Sequence, residues 1–245
     1  KVGVIDADIY GPSMHIMFGL QGSIPKTVSV DGASKIKPLE SYGVKLLSIA
    51  FFAQAQQAVV WRGPMASKAL NQLLWDTHWG ELDYLIVDLP PGTGDIHLSL
   101  VQSIPLTGAV VVSTPQSIAL ADAIKGVNMF RMESINVPVL GIVENMAYFS
   151  PKELPDNKYY IFGKEGAKQL AEEMEIELLA EIPIFQSLRE AADAGRPAIL
   201  QGATPIALQL LTMTKNIVKS IKKRNVKLAP TKAVELTHSK GCGNK

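Results

Sequence analysis

Six short apolar runs in this chain lack the polar–apolar alternation of a half-exposed strand, and that constrains the fold more than anything else in it. They are Val2 to Asp6, Val44 to Ile49, Tyr84 to Asp88, Ala109 to Ser113, Val139 to Val143 and Leu178 to Ile182. Continuous Val-, Ile- and Leu-rich runs bounded by Gly, Pro or Asp read as strands covered on both faces. Helical periodicity fills the intervals: Ser67 to Thr77, Ile96 to Ser103, Ser117 to Ser134, Lys164 to Met174, Gln186 to Ala194 and Pro205 to Arg224. This alternation predicts an α/β fold, a doubly wound, mostly parallel sheet with helices on both faces and ligands at the carboxyl ends of the strands. Residues 1–224 read as one domain without repeats or linkers. Residues 225–245 have little periodicity and read as a flexible or partner-docked tail. The polar, Gly-rich stretch 19–40 is expected to be a long loop holding at most a short hairpin.

Composition narrows the function classes. A formal net charge of +1, with 19% charged and 47% hydrophobic residues, gives no bulk field for nucleic acid. No apolar run reaches the roughly 18 residues a membrane span needs, so no stable membrane association is expected. A single cysteine, Cys242, excludes an internal disulfide framework and fits a reducing, cytoplasmic setting.

Chemistry concentrates where strands end in carboxylates. The opening run finishes in Asp6 and Asp8, and "LDYLIVDLPPGTGD" finishes a strand at Asp88 and then turns through Pro90, Pro91, Gly92, Thr93 and Gly94. An apolar strand ending in Asp is how a P-loop NTPase holds magnesium, often through water. A stiff Pro-Pro turn that becomes permissive at Gly92 brings backbone N–H groups near a phosphate. Asp95 would cap the following helix or touch a bound water. The bland alternative is a buried strand, a Pro-Gly turn and a capping acid.

Five stretches together, "VGVIDADIYGPS", "WRGPM" at 61–65, "WGELDYLIVDLPPGTGDIHLSL" at 79–100, "STPQSIALADAIKG" at 113–126 and "GIVENMAYF" at 141–149, resemble the Mrp/Nbp35 family. These are iron–sulfur cluster carrier ATPases of the deviant Walker A, MinD/ParA-like P-loop class. The resemblance spans residues 1–224 and implies a homodimeric ATPase using ATP and Mg²⁺ that serves iron–sulfur apoproteins or other cluster-assembly proteins. It places Asp8 beside the γ-phosphate to orient the attacking water, against the alternative that Asp8 caps the segment beginning near Pro12. It places Asp6 near the magnesium shell, Asp88 as the Walker B acid, and Gly92 and Thr93 in the nucleotide-sensing loop. Asn145 would read the adenine edge and Pro183 would pack on the base, although an Asn after a strand also forms turns. Arg62 is read as an interface or phosphate contact or a surface residue, and His97 as facing the same cleft or, more simply, as a structural histidine beside a helix start.

Two departures qualify that picture. No G-x-x-x-x-G-K-[ST] phosphate loop occurs in the 245 residues, so the chain is expected to lack the first βα unit of the domain and to hold nucleotide weakly. The C-x-x-C that follows "NM" in cluster-bridging members is replaced by "NMAYFSPKELPDNKYYIFGKEG", without cysteine. Four thiolates suit a [4Fe–4S] cluster, and two tails each carrying Cys242 offer two. Cys242 is therefore either a partial iron–sulfur ligand or a spectator. A MinD/ParA-like positioning ATPase is the competing function, carried by the basic amphipathic helix ending at Lys219, Lys222, Lys223 and Arg224. A non-catalytic scaffold in cluster assembly is the third.

Overall fold

The computed structural model describes residues 1–52, 63–151 and 153–234. The chain runs through β1 (Val2–Asp6), α1 (Met14–Met17), β2 (Thr27–Val30), β3 (Ala33–Ile36), β4 (Leu39–Ser41) and β5 (Val44–Ser48), and a 3₁₀ turn at Ile49–Phe51 follows. It continues through α2 (Gly63–Trp75), β6 (Tyr84–Asp88), α3 (Asp95–Ser103), β7 (Ala109–Ser113), α4 (Ser117–Arg131) and β8 (Val139–Phe149). The last elements are α5 (Gly166–Glu173), β9 (Leu178–Ile184), α6 (Gln186–Asp193), a 3₁₀ turn at Ala198–Leu200 and α7 (Pro205–Lys227). All six predicted strands are present, and all but the shortest helix were legible from periodicity. The stretch 19–40 contains the antiparallel hairpin β2–β3.

The strands form two sheets besides that hairpin. One has the order β4-β5-β1-β6, with β5, β1 and β6 parallel and β4 antiparallel at its edge. The other has the parallel order β7-β8-β9. The first buries Val4, Ile5, Leu46 and Leu47 against Ala66, Leu70 and Leu73 of α2 and Leu100 of α3. The second buries Val143, Leu179 and Ile182 against Ile206 of α7, with Leu210, Met213 and Ile217 packed alongside. The apolar stripe of α7 is thus spent on the sheet. Its basic end is partly absorbed too: Lys223 pairs with Glu177, and Arg224 is buried and donates to the Ala229 carbonyl at 2.6 Å.

The sheet strands are mostly parallel, as the alternating pattern predicts, and the described strands fall into two pieces. Among the described residues β6 pairs only with β1, and β7 only with β8. Both therefore carry an open edge, yet both have the uninterrupted apolar sequence of an interior strand. Ile86 is 55% exposed and Val112 is 62% exposed in consequence. The two halves are joined instead by α3 and α4, where Val101 packs with Met129, Phe130 and Val137. The tail adds to this junction: Thr231 Oγ1 donates to the Leu106 carbonyl at 2.6 Å, and the Val234 N–H donates to the Val101 carbonyl at 2.8 Å. The first part of the predicted tail is therefore docked on its own chain, and α7 runs three residues past the predicted end.

Candidate functional site

Parallel register brings three polar groups to one level. Asp6, at the carboxyl end of β1, stands opposite Ser48 of β5 on one side and Asp88 of β6 on the other. The Ala7 N–H donates to the Asp88 carbonyl at 2.8 Å, which holds the β1 exit against β6. Asp6 is fully buried. Its Oδ2 accepts from Ser48 Oγ at 2.9 Å and from the Met14 N–H at 3.2 Å, so this carboxylate caps the start of α1. Its Oδ1 is buried with no partner among the described residues. Asp8, half-buried, accepts from the Gly11 N–H through Oδ1 at 3.1 Å, which shapes the turn after β1. Capping near Pro12 is thus divided: Asp8 closes the turn at Gly11 and Asp6 caps the helix.

Burial pushes the Asp88 carboxyl up to about 6, and the negative charges of Asp6 and Asp8 push the same way. Burial likewise raises Asp6, opposed by the bonds from Ser48 and Met14. No Lys or Arg within ion-pair distance neutralises these three acids among the described residues. A positive His15 would offset the Asp6 charge in part, and the three carboxylates together suit a cation. No group of three or more His, Cys, Asp or Glu closes on a common metal position among the described residues. The acids therefore suit Mg²⁺, which keeps most of its waters and takes one or two carboxylates, rather than an all-protein cage.

The loop after β6 lies open beside them. Gly92 has φ +94°, a conformation that favours glycine, and a Cβ there or at Gly94 would meet nothing within 4 Å. Thr93 is exposed. The backbone of this loop is therefore free to approach a ligand. Asp95 does not cap α3 as predicted. Gly94 is the N-cap and Asp95 the first helical residue, its acid complementing the helix dipole. Its Oδ2 lies 2.6 Å from where a Cβ on Gly63 would stand, so the exposed carboxylate sits at the start of α2 and would have to shift for any larger residue there. His97 is buried with Nδ1 unpartnered rather than lining an open cleft, and burial holds its imidazole below the usual range. Trp61, Arg62 and Cys242 lie outside the described residues.

The remaining residues expected at the site lie on the second sheet. Asn145 of β8 pairs in register with Ile182 of β9, so Asn145 and Pro183 share the carboxyl rim of adjacent strands. Asn145 Oδ1 accepts from the Met146 N–H at 3.0 Å, where the backbone turns left-handed with φ +56°. Its amide nitrogen has no hydrogen bond to protein among the described residues. The two halves are also joined through loops: the hydroxyl of Tyr42, which precedes the amino end of β5, donates to the Gly195 carbonyl at 2.9 Å, and a Cβ on Gly195 would meet Gly19 Cα at 2.5 Å.

Comparison with known proteins completes the picture. The family model described as ParA, NUBPL iron-transfer P-loop NTPase, matches residues 1–221. The chain belongs to this family. An iron-sulfur cluster carrier protein of Deinococcus radiodurans is 48% identical over 213 residues, which are 86% of this chain and 58% of that protein. One from Escherichia coli K12 is 51% identical over 200 residues, 82% of this chain and 53% of that protein. The iron-sulfur cluster transfer protein NUBPL of Mus musculus is 42% identical over 222 residues, covering 90% and 67%. The chain thus spans little more than half the length of these bacterial relatives. Among solved structures, the nucleotide-binding protein in complex with ADP from Archaeoglobus fulgidus superposes with TM-score 0.68 at 37% identity, covering 85% of this chain and 78% of that one. The cell division ATPase MinD of Pyrococcus furiosus superposes with TM-score 0.61 at 20% identity, over 89% and 86%, which shows the shared fold.

Two residues of the site were not singled out from sequence. Ser48 lies one residue before the end of an apolar run, and its pairing with Asp6 depends on a register no single run reveals. Glu144 is a charge inside the apolar run of β8. It is 1% exposed and accepts from the Ala167 N–H at 2.6 Å, anchoring α5 beside Asn145.

Proposed function

We propose that this family member binds and hydrolyses ATP in the service of iron–sulfur cluster assembly, as a homodimer that passes clusters to apoproteins. The observation that carries the nucleotide half is the set of three buried or half-buried acids at one strand rim, with no Lys or Arg at ion-pair distance among the described residues, beside the open Gly92 loop. Asp8, projecting beyond β1, orients a water toward the γ-phosphate, since phosphoryl transfer needs positioning more than a strong base. Asp6 fixes the β1 exit through Ser48 and Met14 and keeps one oxygen free. Mg²⁺, held by Asp88 through water, would neutralise charge developing on the phosphates. Asn145, with its amide N–H groups free, and Pro183 form the base site.

The 245 residues contain no phosphate-cradling lysine loop, so taken alone they hold nucleotide weakly. The cluster half of the reading is supported by the family and by relatives named as cluster carriers. This chain carries no C-x-x-C, so a bound [4Fe–4S] cluster would need ligands beyond Cys242, and cluster transfer with a cysteine-bearing partner fits the thiol count better. In the full-length protein, Asp8→Ala cuts ATP turnover by about two orders of magnitude while changing nucleotide affinity little, as expected for loss of a positioned base. Unchanged turnover removes Asp8 from this role.

A further inference from the structure

Between the hairpin β2–β3 and the sheet-edge strand β4 lies an open cleft of about 600 Å³. Its apolar surface comes from Val28, Val30 and Leu39, and Lys26, Lys37 and Lys45 line it. The hairpin is held in place by backbone bonds: Ile36 N–H to the Asp76 carbonyl at 2.7 Å, His78 N–H to the Ile36 carbonyl at 2.8 Å, and Lys37 N–H to the Lys26 carbonyl at 2.7 Å. Lys45 donates its ammonium to the Trp79 carbonyl. Lys26 and Lys37 are exposed and meet no carboxylate at ion-pair distance among the described residues. The acid on this lining, Glu40, is the register partner of Lys45. β4 pairs only with β5 among the described residues, so its outer edge presents unpaired backbone groups.

We propose that this cleft binds an extended acidic segment of a partner polypeptide, which adds as a strand along β4, sets apolar side chains on Val28, Val30 and Leu39, and places carboxylates on Lys26 and Lys37. A strand edge offers alternating N–H and C=O groups that a polypeptide backbone matches. The lysines then select for acidic sequence by charge complementarity. A polyphosphate backbone would gain nothing from the apolar wall, and the protein's net charge of +1 provides no long-range field to draw one in. This docking site is independent of the nucleotide reading.

The test is an NMR titration of ¹⁵N-labelled protein with a capped synthetic peptide alternating Glu and Val over seven residues. Shifts are expected at the amides of Val28, Val30, Leu39 and Glu40, and the same peptide with Lys for Glu should not bind. The charge reversal Lys26→Glu/Lys37→Glu is expected to weaken binding about tenfold or more, and Lys26→Ala/Lys37→Ala by less. Both sites are solvent-exposed, and the amide spectrum verifies folding of each variant. Equal affinity for wild type and both variants, or shifts confined to another surface, overturns the proposal. So does tighter binding at these amides by an oligonucleotide or by vesicles of anionic phospholipid than by the peptide.

Discussion

Asp88 carries the electrostatic tension of the site. Its carboxyl titrates near 6 in the folded chain, against an ordinary value of 3.8, because burial and two neighbouring acids disfavour the charge. The folded state therefore holds more protons than the unfolded state between about pH 4 and 6, and stability falls as pH rises through that window. The cost is fully present above the folded value and absent below pH 4. Asp6 is raised in the same direction by its own burial. Asp88→Asn should flatten the slope between pH 4 and 6 and raise stability at pH 7 by about 1–2 kcal/mol, allowing for solvent screening. Urea denaturation of wild type and variant at pH 4.5 and 7 measures this; equal stabilities at pH 7 would show that the charge is not held at a cost. A residue kept at a cost to the empty protein is the kind that a bound cation repays.

At the scale of elements, the loops matter through their closest approaches. Gly195 has φ +63° and its Cα side faces Gly19, so a methyl group there meets both backbone strain and a 2.5 Å contact. Gly195→Ala should destabilise the protein by about 2–4 kcal/mol and loosen the loop contacts between the two halves. Thermal unfolding, with Gly22→Ala as a comparison at an uncrowded positive-φ site, separates the contact from the strain. The open edges of β6 and β7 make a second prediction. Interior-type strands left unpaired are templates for association, so this 245-residue chain should self-associate at micromolar concentration, and Ile86→Lys should reduce that association. Sedimentation velocity on both proteins is decisive, and identical profiles would contradict it. The strands and helices were legible because their periodicity is local. The split into two sheets was not, since strand order depends on which edges meet. The Asp6–Ser48–Asp88 level was only half legible: the two acids stood out, whereas Ser48 entered through register. The Asp95 contact with Gly63 joins segments far apart in sequence, and nothing local to either announces it.

At the scale of the whole molecule, the proposed site draws on both sheets. The first carries the acids and the Gly92 loop, and the second carries Asn145 and Pro183, while α3, which follows the loop, packs at the helical junction with α4 and the tail. Family membership says what class of work such an arrangement does, and the missing C-x-x-C limits how this member can hold a cluster. The central claim is that the strand-rim acids engage nucleotide through magnesium. Calorimetric titration of the full-length protein with ADP, with and without Mg²⁺, tests it in wild type and Asp88→Asn. Magnesium should tighten binding to wild type by about tenfold or more and leave the variant's affinity unchanged, as expected when the carboxylate that anchors the metal waters is removed. An equal magnesium effect in both proteins would contradict the account.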